Sequence, residues 1–206
     1  MALITLEGID GTGKSTLVRL LEDRLADLDP VFTREPTTTW TGHAVRRGIA
    51  EEIDPIAEAL LFAADHAAHV TTVVRPALAE GRLVVSDRYS DSRYAYQSVV
   101  LGGRLPGPLS WLRALHDGWT VPPDQTFLLV LAVDEAVRRI GAHEQREHFE
   151  EADTLEKVQA AYLGLAEEEP SRFVLVDAEK EREEIAAFVE GAIRATVERS
   201  RARRRP

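Results

Sequence analysis

The sequence of 206 residues contains no cysteine. Disulfides and thiolate chemistry are therefore excluded, and the composition agrees with a cytoplasmic protein. It also lacks any apolar run near the ~18 residues of a membrane span, and a secretory leader is not expected, because the first apolar segment runs straight into a glycine-rich loop. No membrane partner is expected. Positive charge is scarce too: 25 Lys and Arg face 35 Asp and Glu, for a net charge of −10. Residues 199–206 hold five of those arginines and no acid, so the rest of the chain carries −15. An acidic body argues against a nucleic-acid partner, which needs a basic face. The tail is expected to be a frayed, solvated end, with a nucleic-acid arm as the alternative. No internal repeat or linker divides the remainder. The length predicts one domain over residues 1–198, large enough for a sizeable core.

What is present begins at residue 8. Gly8-Ile9-Asp10-Gly11-Thr12-Gly13-Lys14-Ser15, followed by Thr16, fits the phosphate-binding pattern G-x-x-x-x-G-K-[ST]. An apolar, partly β-branched segment, Ala2 to Leu6, precedes it. Leu17, Val18, Leu20, Leu21 and Leu25 recur at helical spacing behind it. Glycines let backbone N–H groups curl around phosphate oxygens, and the helix N-terminus adds its positive end. Lys14 would reach the β- and γ-phosphates and the Ser15 hydroxyl would ligate Mg²⁺, so residues 8–16 are the expected ATP-binding loop.

Strand and helix signals alternate to the end of the chain, predicting an α/β fold with a five-stranded parallel sheet between helical layers. Expected strands after the first are 30–33, 83–85, 127–133 and 173–176. Expected helices cover 42–50, a long segment from Asp54 (N-cap) and Pro55 to about Ala79, then 88–100, a segment within 106–118, one capped by Asp134, one ending near Ala166, and 182–197. Residues 141–152 are polar and aperiodic, as a short lid would be.

Asp87 ends a predicted buried strand, the sheet edge where ligands gather in open α/β folds, and is placed to hold Mg²⁺. Its alternative role is N-cap of the next helix. Arg88 follows, and a guanidinium forks well onto phosphate. With a helix starting at Arg88, Ser92 and Tyr96 share its face, with Gln97 beside them, a ladder that could meet phosphate, sugar and base in turn, or simply be the polar face of that helix. Arg34 ends the second strand on the same sheet edge, as a phosphate ligand or a surface arginine. On the long helix, Phe62 is a stacking aromatic or a core residue. Asp65, His66 and His69 follow it at helical spacing, without metal-ligand partners. In phosphoryl transfer a cation brought in late can neutralise developing charge; Arg138, Arg139 and Arg146 lie in or beside the lid.

With those residues in view, the chain resembles the thymidylate kinases over nearly its whole length. The resemblance rests on Thr5–Ser15, Thr33-Arg34-Glu35-Pro36, Leu61-Phe62-Ala63-Ala64-Asp65-His66, Asp87-Arg88-Tyr89 and Ala95-Tyr96-Gln97. It implies ATP- and Mg²⁺-dependent phosphorylation of dTMP to dTDP, usually by a homodimer. Asp10, Arg34 and Arg88 would contact the monophosphate, Phe62 would stack on thymine, Tyr96 would pack under the deoxyribose and Gln97 would lie near the base edge. His66 is expected among these substrate-binding residues, standing where many members have an arginine that contacts base or phosphate. Gly11 stands where some members carry a loop arginine, and the members that lack it use a lid arginine, here Arg146 first and Arg139 second. Lys14, Asp87, Arg88 and Arg146 are the expected catalytic groups. Two other readings fit the loop: a kinase for another nucleoside monophosphate or a deoxynucleoside, and a slow nucleotide switch.

Overall fold

The computed structural model describes residues 2–141 and 152–202. β1 (Leu3–Glu7) is buried along its whole length and lies between β3 (Val84–Asp87) and β4 (Gln125–Val130), with β2 (Val31–Arg34) and β5 (Phe173–Asp177) at the edges. All four pairings are parallel, giving a five-stranded sheet of order β2-β3-β1-β4-β5. Parallel strands reached by crossovers must bury both faces, and β1 does so by alternation: Ile4 and Leu6 enter the main core with Leu21 and Phe127, whereas Leu3 joins Val70, Val74 and Val84 on the other side.

The helices are α1 (Lys14–Arg24), α2 (Trp40–Ala50), α3 (Pro55–His69), α4 (Arg75–Ala79), α5 (Ser90–Val100), α6 (Pro108–His116), α7 (Val133–Ile140), α8 (Ala152–Glu168) and α9 (Arg182–Ala202). α1 packs on α9, α5 on α8 and α2 on α3. None of the described helices is long and apolar enough to cross a membrane. Asp54 caps α3 as expected, accepting from the N–H groups of Ile56 and Ala57. The long helix is not uniformly α: a π turn over Val70–Val74 joins α3 to α4 just before Pro76, a residue without the N–H an α-ladder uses.

Several boundaries differ from expectation. β4 ends at Val130, not 133, because Val133 already opens α7. Ala132, not Asp134, is the α7 N-cap; among the described residues Asp134 accepts only from the adjacent Glu135 N–H. Arg88 lies outside α5, whose N-cap is Tyr89. α9 runs to Ala202, into the tail expected to be frayed. Residues 142–151, most of the expected lid, lie outside the described residues, as do 203–206.

The chain leaves β1 towards β2 and β3 on one side and reaches β4 and β5 on the other, so the strand order reverses around β1. Such a switch point leaves a crevice at the carboxyl ends of the strands. The phosphate loop follows β1, Asp87 ends β3, Arg34 ends β2, and all three meet there.

Candidate active site

The loop between β1 and α1 is shaped by its glycines. Gly11 has φ +84° and Gly13, the α1 N-cap, has φ +90°, a region that L side chains rarely adopt. A side chain at Gly11 would also place Cβ 2.6 Å from the Ala136 carbonyl oxygen on α7. Position 11 therefore has no room for a loop arginine. The Thr12 hydroxyl fixes the turn by donating to the Ile9 carbonyl at 2.9 Å. Lys14 is buried, and its Nζ donates to the Gly8 and Ile9 carbonyls at 2.9 Å each. Burial, then the Arg88 charge, pulls its ammonium down to about 8.

A cavity of about 740 Å³ opens above this loop. Asp10 through Thr16 line it, joined by Asp87 and Arg139 and by Lys180 and Arg182 after β5. Gly8 and Ile9 do not; they serve through the carbonyls that hold Lys14. The Ser15 hydroxyl donates to Asp87 Oδ2 at 3.1 Å. The other Asp87 oxygen, Oδ1, is buried with no hydrogen-bond partner among the described residues. Of the lid arginines, Arg139 reaches the cavity wall while paired to Glu135 at 2.7 Å; Arg146 lies outside the described residues.

A second cavity, of about 230 Å³, adjoins the first, and Asp10 and Arg88 line both. Arg88 is a non-glycine residue at φ +66°, a conformation that persists only where its surroundings hold it. Its Nη2 donates to Asp10 Oδ1 at 2.5 Å, its Nη1 to Ser92 Oγ at 3.3 Å, and its guanidinium lies 5.0 Å from the Tyr96 ring centre. Tyr96 donates to Asp10 Oδ2 at 2.7 Å. Burial works against the Asp10 anion, but Arg88 and Lys14 outweigh it and hold the carboxyl at about 2. So the expected ladder forms, although Arg88 joins it from the turn before α5.

Behind the ladder, Glu7 is fully buried. It accepts from the Tyr89 N–H (2.8 Å), the Ser92 hydroxyl (2.6 Å) and the Tyr162 hydroxyl (2.8 Å). Burial, with Asp91 nearby, pushes its carboxyl up to about 7.

Arg34, Phe62 and Gln97 line the second cavity from β2, α3 and α5, with Phe62 half-buried and Gln97 fully buried. His66 does not line it. It is wholly buried, with Nδ1 2.8 Å from Glu35 Oε1 and Nε2 2.7 Å from the Thr120 hydroxyl. Burial and then Arg93 push its imidazole down to about 4, so it is neutral at pH 7. His69 likewise faces Glu35, at 2.6 Å. Asp65 accepts from the Thr37 N–H (2.8 Å) and the Thr37 and Thr41 hydroxyls (2.6 and 2.8 Å), which pins the chain after β2.

Several further wall residues escaped the sequence reading. Arg46 faces the cavity while donating to the Thr37 and Pro36 carbonyls at 2.7 and 2.9 Å. Glu35 and Arg93 meet in a buried ion pair at its edge. Lys180 and Arg182 were legible in principle, since the segment after β5 leaves the same sheet edge as the phosphate loop.

Comparison with known proteins identifies the family. A family model described as thymidylate kinase matches residues 6–189. A protein of Methanoculleus marisnigri named probable thymidylate kinase is 64% identical over 203 residues, covering 98% of this chain and 99% of that one. Proteins with the same name from Methanospirillum hungatei and Natronomonas pharaonis are 56% and 47% identical, covering 93% of this chain in both cases and 93% and 95% of their own. Loop, sheet order and paired cavities thus sit in a chain whose likeness runs almost end to end, and the chain belongs to the thymidylate kinase family.

Proposed function

We propose that the protein transfers the γ-phosphoryl group of ATP to dTMP, giving ADP and dTDP. The observation that carries this is the pair of adjoining cavities that share Asp10 and Arg88 as their common wall. One contains the phosphate loop and suits a triphosphate. The other has cations at one side and an aromatic and an amide at the other, as a nucleoside monophosphate requires. The family and the names of its relatives support dTMP as the acceptor.

In this reading the chain works by position and charge. The α-helical N-terminus and loop N–H groups hold the donor phosphates, and Lys14 exchanges its two carbonyl partners for phosphate oxygens. Arg34 and Arg88 hold the acceptor phosphate, with Asp10 keeping Arg88 aligned. That phosphate is already ionised at neutral pH, so no general base is needed, in keeping with His66 and His69 facing Glu35. In-line placement supplies much of the rate. Arg139 on the wall, or Arg146, would neutralise the transferring group.

Mg²⁺ fits the residues present. Ser15 Oγ and the unpartnered Asp87 Oδ1 are hard oxygen donors at the triphosphate side, and Mg²⁺ commonly takes one or two protein oxygens with substrate phosphates making up the rest. When bound, the ion would supply positive charge against the donor phosphates. A homodimer in the cytoplasm, with residues 199–206 outside the working domain, completes the proposal.

The test is ADP release with ATP, Mg²⁺ and a panel of nucleoside monophosphates and deoxynucleosides. dTMP should give the highest kcat/KM, and Lys14→Ala should abolish turnover. Preference for another acceptor would favour a different kinase, and acceptor-independent hydrolysis a switch.

A further inference from the structure

α5 presents two rows of side chains to the acceptor cavity. The first, Arg88 (from the preceding turn), Ser92 and Tyr96, is engaged by Asp10 and Glu7. The second consists of Arg93 and Gln97, one helical turn apart, both lining the cavity and both about 2% exposed.

Arg93 is held from three directions. Nη1 pairs with Glu35 Oε2, Nη2 lies 2.9 Å from His66 Nδ1, and Nε donates to His116 Nε2 at 3.2 Å. His66 Nδ1 also lies 2.8 Å from Glu35 Oε1, so this one nitrogen sits between the Arg93 donor and the Glu35 acceptor, while Nε2 faces the Thr120 hydroxyl. A guanidinium has five N–H groups, and these contacts use at most three. The remaining two, one on each terminal nitrogen, have no partner among the described residues. The Gln97 amide makes no hydrogen bond to them either. A buried ion pair between Arg93 and Glu35 is no better for stability than an apolar pair of the same volume. Its place at the cavity wall, with donors left over, points to a ligand.

We propose that Arg93 is a base-reading residue: its two uncommitted N–H groups meet the C4 carbonyl of the pyrimidine, and Gln97 meets the neighbouring N3–H. This rests on the dTMP-kinase reading. The acceptor phosphate must lie beside Asp10 and Arg88, next to the donor loop, so the base lies towards Phe62 and Gln97, and the atom farthest from the sugar reaches Arg93. A guanidinium only donates. It accepts a keto pyrimidine and opposes the 4-amino group of cytosine, which also donates. Glu35, His66 and His116 then act as positioning residues that fix the fork. This gives the buried His66 a purpose without contact to substrate.

The test is kcat/KM for dTMP, dCMP and 4-thio-dTMP, the last altering only the C4 substituent. The wild-type protein should prefer dTMP over both, by about 10- to 100-fold for loss of one charged hydrogen bond. Arg93→Gln should bring both ratios down by at least about tenfold, mainly by lowering the dTMP value. Because Arg93→Gln leaves Glu35 without its cation, the double variant Arg93→Gln with Glu35→Gln is measured beside it, with circular dichroism confirming the fold. If neither variant folds, the wild-type ratio for 4-thio-dTMP decides: a value near one overturns the proposal. Equal losses for all three substrates, with ratios unchanged, would show a purely structural role and overturn it as well. A wild-type protein inactive on dTMP would instead overturn the dTMP-kinase reading, and this inference with it.

Discussion

Replacing Gly11 by alanine separates two effects that the phosphate loop combines. Gly11 and Gly13 have nearly the same backbone conformation, φ +84° and +90°. A non-glycine residue there costs about 1–2 kcal/mol in either case. They differ in what a methyl group would meet. At Gly13 nothing lies within 4 Å, whereas at Gly11 the added Cβ falls 2.6 Å from the Ala136 carbonyl oxygen and 3.0 Å from its Cα. Those are backbone atoms of α7 and cannot rotate away, so helix or loop must shift, at a typical overpacking cost of about 1–3 kcal/mol. Gly11→Ala should therefore lose about 2–5 kcal/mol and Gly13→Ala about 1–2. At roughly 2–4 °C per kcal/mol for a chain of this size, that is about 4–20 °C against about 2–8 °C. Thermal unfolding without nucleotide measures both. Gly11→Ala should in addition raise the KM for ATP, because α7 also carries Arg139 at the cavity wall. Equal melting temperatures for the two variants would refute the close approach of α7 to the loop.

Two further outcomes follow from the site. Lys14 attracts phosphate only while protonated, and its ammonium is held at about 8, so kcat/KM for ATP should fall above about pH 8. Bound phosphate raises that value, so kcat itself should decline only at higher pH; a flat kcat/KM profile to pH 10 would contradict the burial of Lys14. Phe62→Ala should lower kcat/KM for dTMP by roughly 5- to 150-fold, the worth of about 1–3 kcal/mol of base stacking, and leave the KM for ATP unchanged. Equal effects on both substrates would place Phe62 in the core rather than against the base.

Much of the site could be read from the sequence because its signals are local. The phosphate loop is one uninterrupted motif, flanked by a short apolar run that forms β1 and by the helical period of α1. Asp87 and Arg34 follow from the rule that parallel strands end on one edge. What could not be read is what the turns and the tertiary packing decide. Arg88 continues the α5 ladder in sequence but sits at φ +66° outside the helix, a conformation imposed by the bonds to Gly8 and Asp10. Asp134 has the right residue type for a cap, yet the helix starts two residues too early to use it. The burial of His66 and the place of Arg93 were hidden for a common reason. They belong to α3 and α5, meet through Glu35 after β2, and nothing in any one segment announces that three elements converge. A charged residue on a helix reads as solvent-facing until the partner that permits its burial is known.

A crystal structure with dTMP and a non-hydrolysable ATP analogue tests the placement of donor and acceptor most directly. The triphosphate should lie on residues 8–16 with a magnesium ion beside Ser15 and Asp87, and the dTMP phosphate should lie between Arg34 and Arg88. The thymine should stack on Phe62 with its edge towards Gln97. A thymidine bound elsewhere, or a base turned away from Phe62 and Gln97, would contradict the assignment of this cavity to the acceptor.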